Sequence, residues 1–120
     1  MKKITFILAA IVMLSNTEVE AQSSQDCTIT YNLFKGEYQT KKYDAAYPKL
    51  VTLMNDCPKL SINIYKYGER LAKEKMKTAA NKDEFVALVK KIYEQRLQYY
   101  KTDEAKVHSD YATFLAKEKL

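Results

Sequence analysis

The segment YQTKKYDAAYPKLVTLMNDCP, residues 38–58, has the pattern of a short turn followed by an amphipathic helix. Its apolar residues recur every three or four positions, on one face of a 3.6-residue helix: Tyr43, Ala46, Leu50, Leu53 and Met54. The residues before it, from about 27 to 40, carry a second stripe made of Tyr31, Phe34 and Tyr38. Two apolar stripes joined by a short turn must bury each other, so the sequence predicts an antiparallel helical hairpin.

Outward from this hairpin, the chain continues with helical patterns and contains only two glycines and two prolines. A third helix is predicted from about residue 61 to 79, with an apolar face of Ile64, Tyr67, Gly68 and Leu71. Asn81 and Glu84 have the spacing of a capping box that opens a fourth helix. The sequence predicts an all-α protein of about five helices, arranged as one hairpin at about 26–57, a second at about 61–100 and a single helix at about 103–117.

Residues 1–21 have the three parts of a secretory signal peptide. Two lysines precede an apolar core at residues 4–14, which is shorter than the roughly 18 residues expected for a membrane span. The small residues Val19 and Ala21 suit cleavage before Gln22, and no cysteine stands at that position as a lipoprotein would require. The sequence predicts an exported protein that is periplasmic, associated with the outer membrane or secreted. An uncleaved membrane anchor is the alternative interpretation.

Cleavage would leave residues 22–120, a length that suits one small domain. The net charge stays at +5, because the leader holds two lysines and two glutamates. Mild basicity of this kind usually means a solvated surface. The functional alternative is contact with anionic lipid, polysaccharide or an acidic partner in the cell envelope, since export removes ordinary contact with nucleic acid.

Cys27 opens the first predicted helix and Cys57 closes the second. An antiparallel hairpin brings these two ends side by side, and export to an oxidising compartment permits a disulfide between them. The bond would close a loop of about 31 residues and stabilise the fold by on the order of 3 to 4 kcal/mol. Two buried free thiols are the alternative, whereas a redox pair is disfavoured because the chain has no C-x-x-C motif.

The pattern of polar residues does not indicate catalysis. His108 is the only histidine and lies on the apolar side of the fifth helix, where a packing role is expected. No cysteine and histidine spacing predicts a zinc site, and no G-x-S-x-G motif predicts a nucleophile. The sequence therefore predicts a non-enzymatic protein without a metal or cofactor. Of the ten tyrosines, Tyr47, Tyr65 and Tyr99 fall off the main stripes and are the candidates for contact with a partner.

A pattern of large, large, small and large residues recurs in the third helix as Ile64, Tyr67, Gly68 and Leu71, and in the fifth as His108, Tyr111, Ala112 and Leu115. The first hairpin adds Tyr43, Ala46, Leu50 and Pro58 at the spacing of the second half of the same unit. In these positions the chain resembles a tetratricopeptide repeat protein, whose 34-residue unit is a pair of antiparallel helices. Lys35 at the usual small position and Lys101 at the usual proline depart from the pattern.

The runs DCTITYNLFKGEYQTKKYDAAY and NDCPKLSINIYKYGERLA further resemble small exported tetratricopeptide proteins of Bacteroidota-type bacteria. Those relatives are usually longer, so the fifth helix is either a cap or the first half of a third repeat in a longer array. The resemblance implies a short right-handed solenoid of stacked hairpins and an interaction role in the envelope. Partner identity and oligomeric state are left open.

In repeats of this family the first helix of each pair lines a concave groove. The positions that the resemblance assigns to the groove are Asn32, Gly36, Thr40, Tyr65, Glu69, Lys73, Ser109, Thr113 and Lys117. The candidate ligand contacts among them are Asn32, Tyr65, Glu69, Lys73 and Ser109. The resemblance implies that a peptide or protein segment of an envelope partner lies in this groove. The lysine and asparagine set that clamps a peptide carboxylate in chaperone receptors is not reproduced.

Overall fold

Every regular element is an α-helix in the computed structural model, which describes residues 24–120. The helices are α1 at 24–39, α2 at Tyr43–Asp56, α3 at Asn63–Thr78, α4 at Lys82–Tyr99 and α5 at Glu104–Lys117. The prediction of an all-α fold with five helices is confirmed. The predicted signal peptide, residues 1–21, lies outside the described residues. Between residues 24 and 120, none of the helices has the length and apolar content needed to cross a membrane.

Neighbouring helices run antiparallel and form two layers. Asp44 at the start of α2 bonds Lys75 near the end of α3, and Lys82 at the start of α4 lies 2.9 Å from Glu118, just past the end of α5. As a result, α1, α3 and α5 share one direction and one layer, and α2 and α4 form the other. Each pair of successive helices is therefore a hairpin stacked on the next one.

The core lies between the two layers and receives side chains from all five helices. Its fully or almost fully buried members include Phe34, Ala46, Leu50, Leu53, Met54, Ile64, Leu71, Val89, Ile92, Tyr93, Val107 and Phe114. Burial of one such large side chain contributes about 1.5–3 kcal/mol, so the shared core accounts for most of the driving force that stacks the hairpins. The apolar stripe read from α2 is confirmed, since its last four members are all buried.

The predicted capping box at the start of α4 is wrong. Asn81 is the N-cap residue but makes no side-chain cap hydrogen bond. The Glu84 carboxylate instead accepts a hydrogen bond of 2.9 Å from the Tyr47 hydroxyl on α2. A partner from another helix has displaced the local cap, because the Glu84 side chain lies where α2 packs across the start of α4.

α2 and α3 pack closely at Gly68. A Cβ atom placed there would lie 2.8 Å from Leu50 Cδ1 and 3.6 Å from Ile92 Cδ1. Leu50 and Ile92 are buried and have little room to move. At Gly36 in α1, by contrast, an added Cβ would meet nothing within 4 Å. The two glycines therefore have opposite roles, since only Gly68 is required by packing.

A disulfide between Cys27 and Cys57 joins the start of α1 to the end of α2, with a Cα–Cα distance of 6.2 Å. This prediction from the hairpin geometry is confirmed. Next to the disulfide, the Tyr31 hydroxyl accepts hydrogen bonds from Ser61 Oγ at 3.3 Å and from Asn63 Nδ2 at 3.4 Å. The N-terminal half of α1 is thus held both covalently and by hydrogen bonds to Ser61 of the α2–α3 loop and to Asn63 at the start of α3.

Replacement of both cysteines by alanine, Cys27→Ala with Cys57→Ala, should lower the free energy of unfolding by about 3 kcal/mol, because the disulfide restricts the unfolded chain. Urea unfolding of the oxidised wild type and of the double variant measures this difference. The reduced wild type serves as the control and should match the variant. A double variant as stable as the oxidised wild type would contradict the prediction.

Alanine at the two glycines should change stability in opposite directions. Gly36→Ala should stabilise the protein by about 0.5–1 kcal/mol, because alanine is the better helix former and its methyl group has free space. At Gly68 the same gain of about 1 kcal/mol is outweighed by an overpacking cost of about 1–3 kcal/mol, so Gly68→Ala should be destabilising. Paired urea titrations give both values, and a Gly68→Ala protein more stable than the wild type would refute the packing argument.

Candidate functional site

An open cavity of about 730 Å³ lies between α3 and α5. The two helices belong to the same layer, and both pack on α4 beneath them, which leaves a channel between their exposed faces. We call this channel the α3–α5 groove. It is lined by Glu69, Arg70, Lys73, Glu74, Met76, Lys77, Lys82, Asp110, Thr113, Phe114, Lys117 and Glu118.

Lys73 lies at the centre of the groove and is fixed by three side chains. Its Nζ donates hydrogen bonds of 2.9 Å to Glu69 Oε1 and 2.9 Å to the Tyr93 hydroxyl oxygen. The Tyr93 hydroxyl in turn donates to the same Glu69 oxygen at 2.5 Å. The ammonium also lies 5.4 Å from the centre of the Tyr93 ring and 5.6 Å from that of Phe114, within the range of cation–π attraction. Lys73 is therefore held in one position before any ligand arrives.

The tyrosines beneath the groove stay protonated. Burial raises the pKa of Tyr93, and the hydrogen bond to Glu69 and the Glu69 charge raise it further. Tyr111 stacks on Tyr93 with ring centres 5.1 Å apart and donates a 2.8 Å hydrogen bond to Glu94. Burial, together with that bond, raises the pKa of Tyr111 to about 12. A tyrosine that acted as a base would need a lowered pKa, so these hydroxyls serve as hydrogen-bond donors.

The charged residues of the groove are five bases and four acids, and all four acids already have a partner. Besides the Glu69–Lys73 pair, the ion pairs are Glu74–Lys77 at 2.9 Å, Glu118–Lys82 at 2.9 Å and Asp110–Lys106 at 2.6 Å. Within residues 24–120, no carboxylate lies within 4.0 Å of the two remaining bases, Arg70 and Lys117. The groove therefore has unsatisfied positive charge and no unsatisfied negative charge.

Arg70 is nevertheless positioned by a neighbour. The hydroxyl of Tyr38 on α1 lies within hydrogen-bonding reach of the guanidinium and raises the pKa of Arg70. Tyr38 is itself stacked on Tyr67, with ring centres 4.6 Å apart. Tyr38 thus links α1 to α3 at the rim of the groove.

The structure places the residues predicted for the groove in three different environments. Glu69, Lys73, Thr113 and Lys117 line the α3–α5 groove together. Asn32 and Ser109 are exposed but lie outside the lining, as do Gly36 and Thr40 on α1. Tyr65 is completely buried. Of the nine positions predicted for the groove, the four that line it lie on α3 and α5. None of the three predicted positions on α1 lines it.

The prediction that Tyr65 contacts a ligand is wrong, because its side chain is buried in the core. Its hydroxyl donates a 2.6 Å hydrogen bond to the carbonyl oxygen of Pro58, and its ring packs edge to face against Tyr100. The predicted stripe placed Tyr67 in the core, whereas the buried face of α3 is rotated toward Tyr65 and Ala72 and leaves Tyr67 half-buried. Tyr65 therefore fixes the α2–α3 loop.

The prediction for His108 is also wrong. A packing role was expected, but the side chain is 62% exposed, with Nε2 3.8 Å from Glu104 Oε1. The buried residues of α5 are Val107 and Phe114, and His108 lies on the exposed side of the helix next to them. Among residues 24–120, no three histidine, cysteine, aspartate or glutamate side chains are grouped so as to hold a metal ion.

Sequence reasoning missed Arg70, Tyr93 and Phe114 as parts of the site. Tyr93 and Phe114 are both buried, yet each also contacts Lys73 from below. One sequence signal was available for Arg70, because basic residues recur along the exposed face of α3 at helical spacing: Lys66, Arg70, Lys73 and Lys77.

Removal of the Tyr93 hydroxyl tests the network beneath the groove. Tyr93→Phe keeps the ring but deletes the hydroxyl that bonds both Glu69 and Lys73. This loss should lower the free energy of unfolding by about 1–2 kcal/mol. Tyr111→Phe is the matched control, because its hydroxyl bonds an exposed carboxylate and should cost less than about 1 kcal/mol. Equal losses in urea unfolding would show that the buried network adds nothing.

Comparison of the chain with protein-family models, with curated proteins and with solved structures finds no match.

Proposed function

We propose that this protein is a non-enzymatic interaction module of the bacterial cell envelope that binds a peptide or protein segment in the α3–α5 groove. The proposal treats residues 22–120 as a tetratricopeptide-like helical domain, following the repeat pattern of α3 and α5. The observation that carries it is the groove itself, in which Glu69, Lys73 and Thr113 are brought together on parallel helices.

The dimensions of the groove suit a short extended segment. Its volume of about 730 Å³ lies within the range of natural ligand sites, about 300–1,000 Å³. From residue 69 to residue 77, α3 rises by about 12 Å, which corresponds to about four residues of an extended chain. The occupant would be a stretch of polypeptide that lies along the helices, with one or two side chains directed inward.

The lining also suits a peptide. The half-buried Met76 supplies apolar surface for a side chain, and Thr113 and the charged residues around it supply hydrogen-bonding groups for a polar backbone. Recognition sites of this kind combine a few apolar contacts with well-placed polar groups. The prior fixation of Lys73 lowers the conformational entropy that binding would otherwise cost.

Export supports the envelope location. The leader-like residues 1–21 predict secretion, and disulfides such as Cys27–Cys57 persist in oxidising compartments outside the cytosol. The proposed location is the periplasm or the outer membrane, or the medium after secretion.

The proposal is tested with the oxidised protein and a displayed library of random peptides. Peptides that are recovered should bind in the groove, so the substitution Thr113→Trp, which fills it from an exposed position, should weaken binding by about tenfold or more. Gln98→Trp is the matched control, since Gln98 is exposed on α4 outside the groove, and it should leave affinity unchanged. Fluorescence anisotropy with the labelled peptides measures both.

Backbone amide chemical shifts give an independent map of the same complex. The expected changes lie along α3 and α5, around Glu69 and Thr113. Recovery of no binding peptide, or shifts confined to the opposite layer, would overturn the proposed function.

A further inference from the structure

We propose that the segment bound in the α3–α5 groove is acidic, with side-chain carboxylates that pair with Arg70 and Lys117. The inference rests on the proposed function and specifies the partner's chemistry. It depends on three features of the groove, namely its basic stripe, the pairing of its acids and its concave shape.

The first feature is the basic stripe on the exposed face of α3. Its members are separated by four, three and four residues, which keeps them on one side of the helix: Lys66, Arg70, Lys73 and Lys77. Three of the four are exposed, and Lys73 is 39% exposed. Arg70, Lys73 and Lys77 of this stripe line the groove, so a bound segment would lie beside them over several residues.

The second feature is the difference between paired and unpaired charges. Every acid of the groove is held by a base at 2.9 Å or less, whereas Arg70 and Lys117 have no carboxylate within 4.0 Å in the described chain. A carboxylate that enters the groove gains a base that no carboxylate of the described chain already pairs with, while an ammonium would meet only acids whose charge is already balanced by a base. Arg70 adds geometric preference, because a guanidinium binds a carboxylate through two parallel hydrogen bonds.

The third feature is shape. Arg70 and Lys117 lie on opposite walls, and Phe114 lies between the walls with only 5% of its surface exposed. A single extended chain can enter the channel between the two helices and meet both exposed bases there. The half-buried Met76 favours a polypeptide with an apolar side chain between its acidic residues.

Three fluorescein-labelled peptides of one design test the inference. Each has about ten residues, with leucine and serine at fixed positions and glutamate, glutamine or lysine at the variable ones. The glutamate peptide should bind the oxidised protein about tenfold more tightly than the glutamine peptide, and the lysine peptide should bind most weakly. The affinity of the glutamate peptide should fall as the salt concentration rises from about 50 to about 150 mM, because exposed charges are screened.

Matched double variants separate the groove from the overall charge. Arg70→Ala with Lys117→Ala should reduce affinity for the glutamate peptide by about tenfold and leave the glutamine peptide unaffected. Lys41→Ala with Lys42→Ala removes the same charge from the exposed α1–α2 turn, outside the groove, and should change neither affinity.

Several outcomes would overturn the inference. If the glutamine or lysine peptide binds as tightly as the glutamate peptide and Thr113→Trp blocks it, the acidic preference fails while the proposed groove function stands. Equal losses from the two double variants would show that net charge alone attracts the peptide. If the wild type cosediments with phosphatidylglycerol vesicles and the double variant Arg70→Ala with Lys117→Ala does not, the two bases bind a lipid surface instead. If none of the three peptides binds, the acidic preference also fails, and the library selection decides the groove function separately.

Discussion

The contact on which the structure depends is the close approach of α2 and α3 at Gly68. Because this position has no side chain, Leu50 packs directly against the backbone of α3, and Ile92 of α4 reaches the same point. Side chains of α2 and α4 therefore both reach α3 at a residue that has no side chain of its own. The position of α3 relative to α2 and α4 follows from this contact, and the basic stripe of α3 is thereby directed to the open side of the layer.

The core and the groove are coupled through Tyr93. Its ring is buried with 1% exposure and stacks on Tyr111 of α5, while its hydroxyl holds Glu69 and Lys73 at the surface. A single side chain thus packs α3, α4 and α5 together and orients the charged centre of the groove. The cost of burying the hydroxyl is offset because it bonds charged partners, which make the stronger kind of hydrogen bond.

The sequence predicts the helices and the disulfide well because both follow from local patterns. The stripe of α2 and the positions of Cys27 and Cys57 leave few alternatives once the hairpin is assumed. The rotation of α3 is not encoded by the local pattern, because Tyr65 and Tyr67 lie on adjacent faces and either ring could fill the core. Packing against the end of α4, where Tyr65 meets Tyr100, selects Tyr65. The expected cap at Asn81 failed for a similar reason, since Tyr47 from α2 takes the Glu84 carboxylate. The width of the groove is the distance between α3 and α5, which is set by where each of them packs on α4. No short-range pattern in the sequence encodes that distance.

The two walls of the groove are held unequally. The α3 wall packs against both α2 and α4, whereas α5 packs mainly on α4 through Val107, Phe114 and Tyr111. At its far end the α5 wall is tied by the Lys82–Glu118 pair, in which the lysine side chain is 55% exposed and the glutamate side chain 13% exposed. The α5 wall is therefore the one whose position is least strongly determined by the core. The proposed ligand would contact both walls and stabilise the folded arrangement by mass action, because it would bind the folded chain and not the unfolded one. The core thus fixes α3 through two neighbouring helices and α5 mainly through α4.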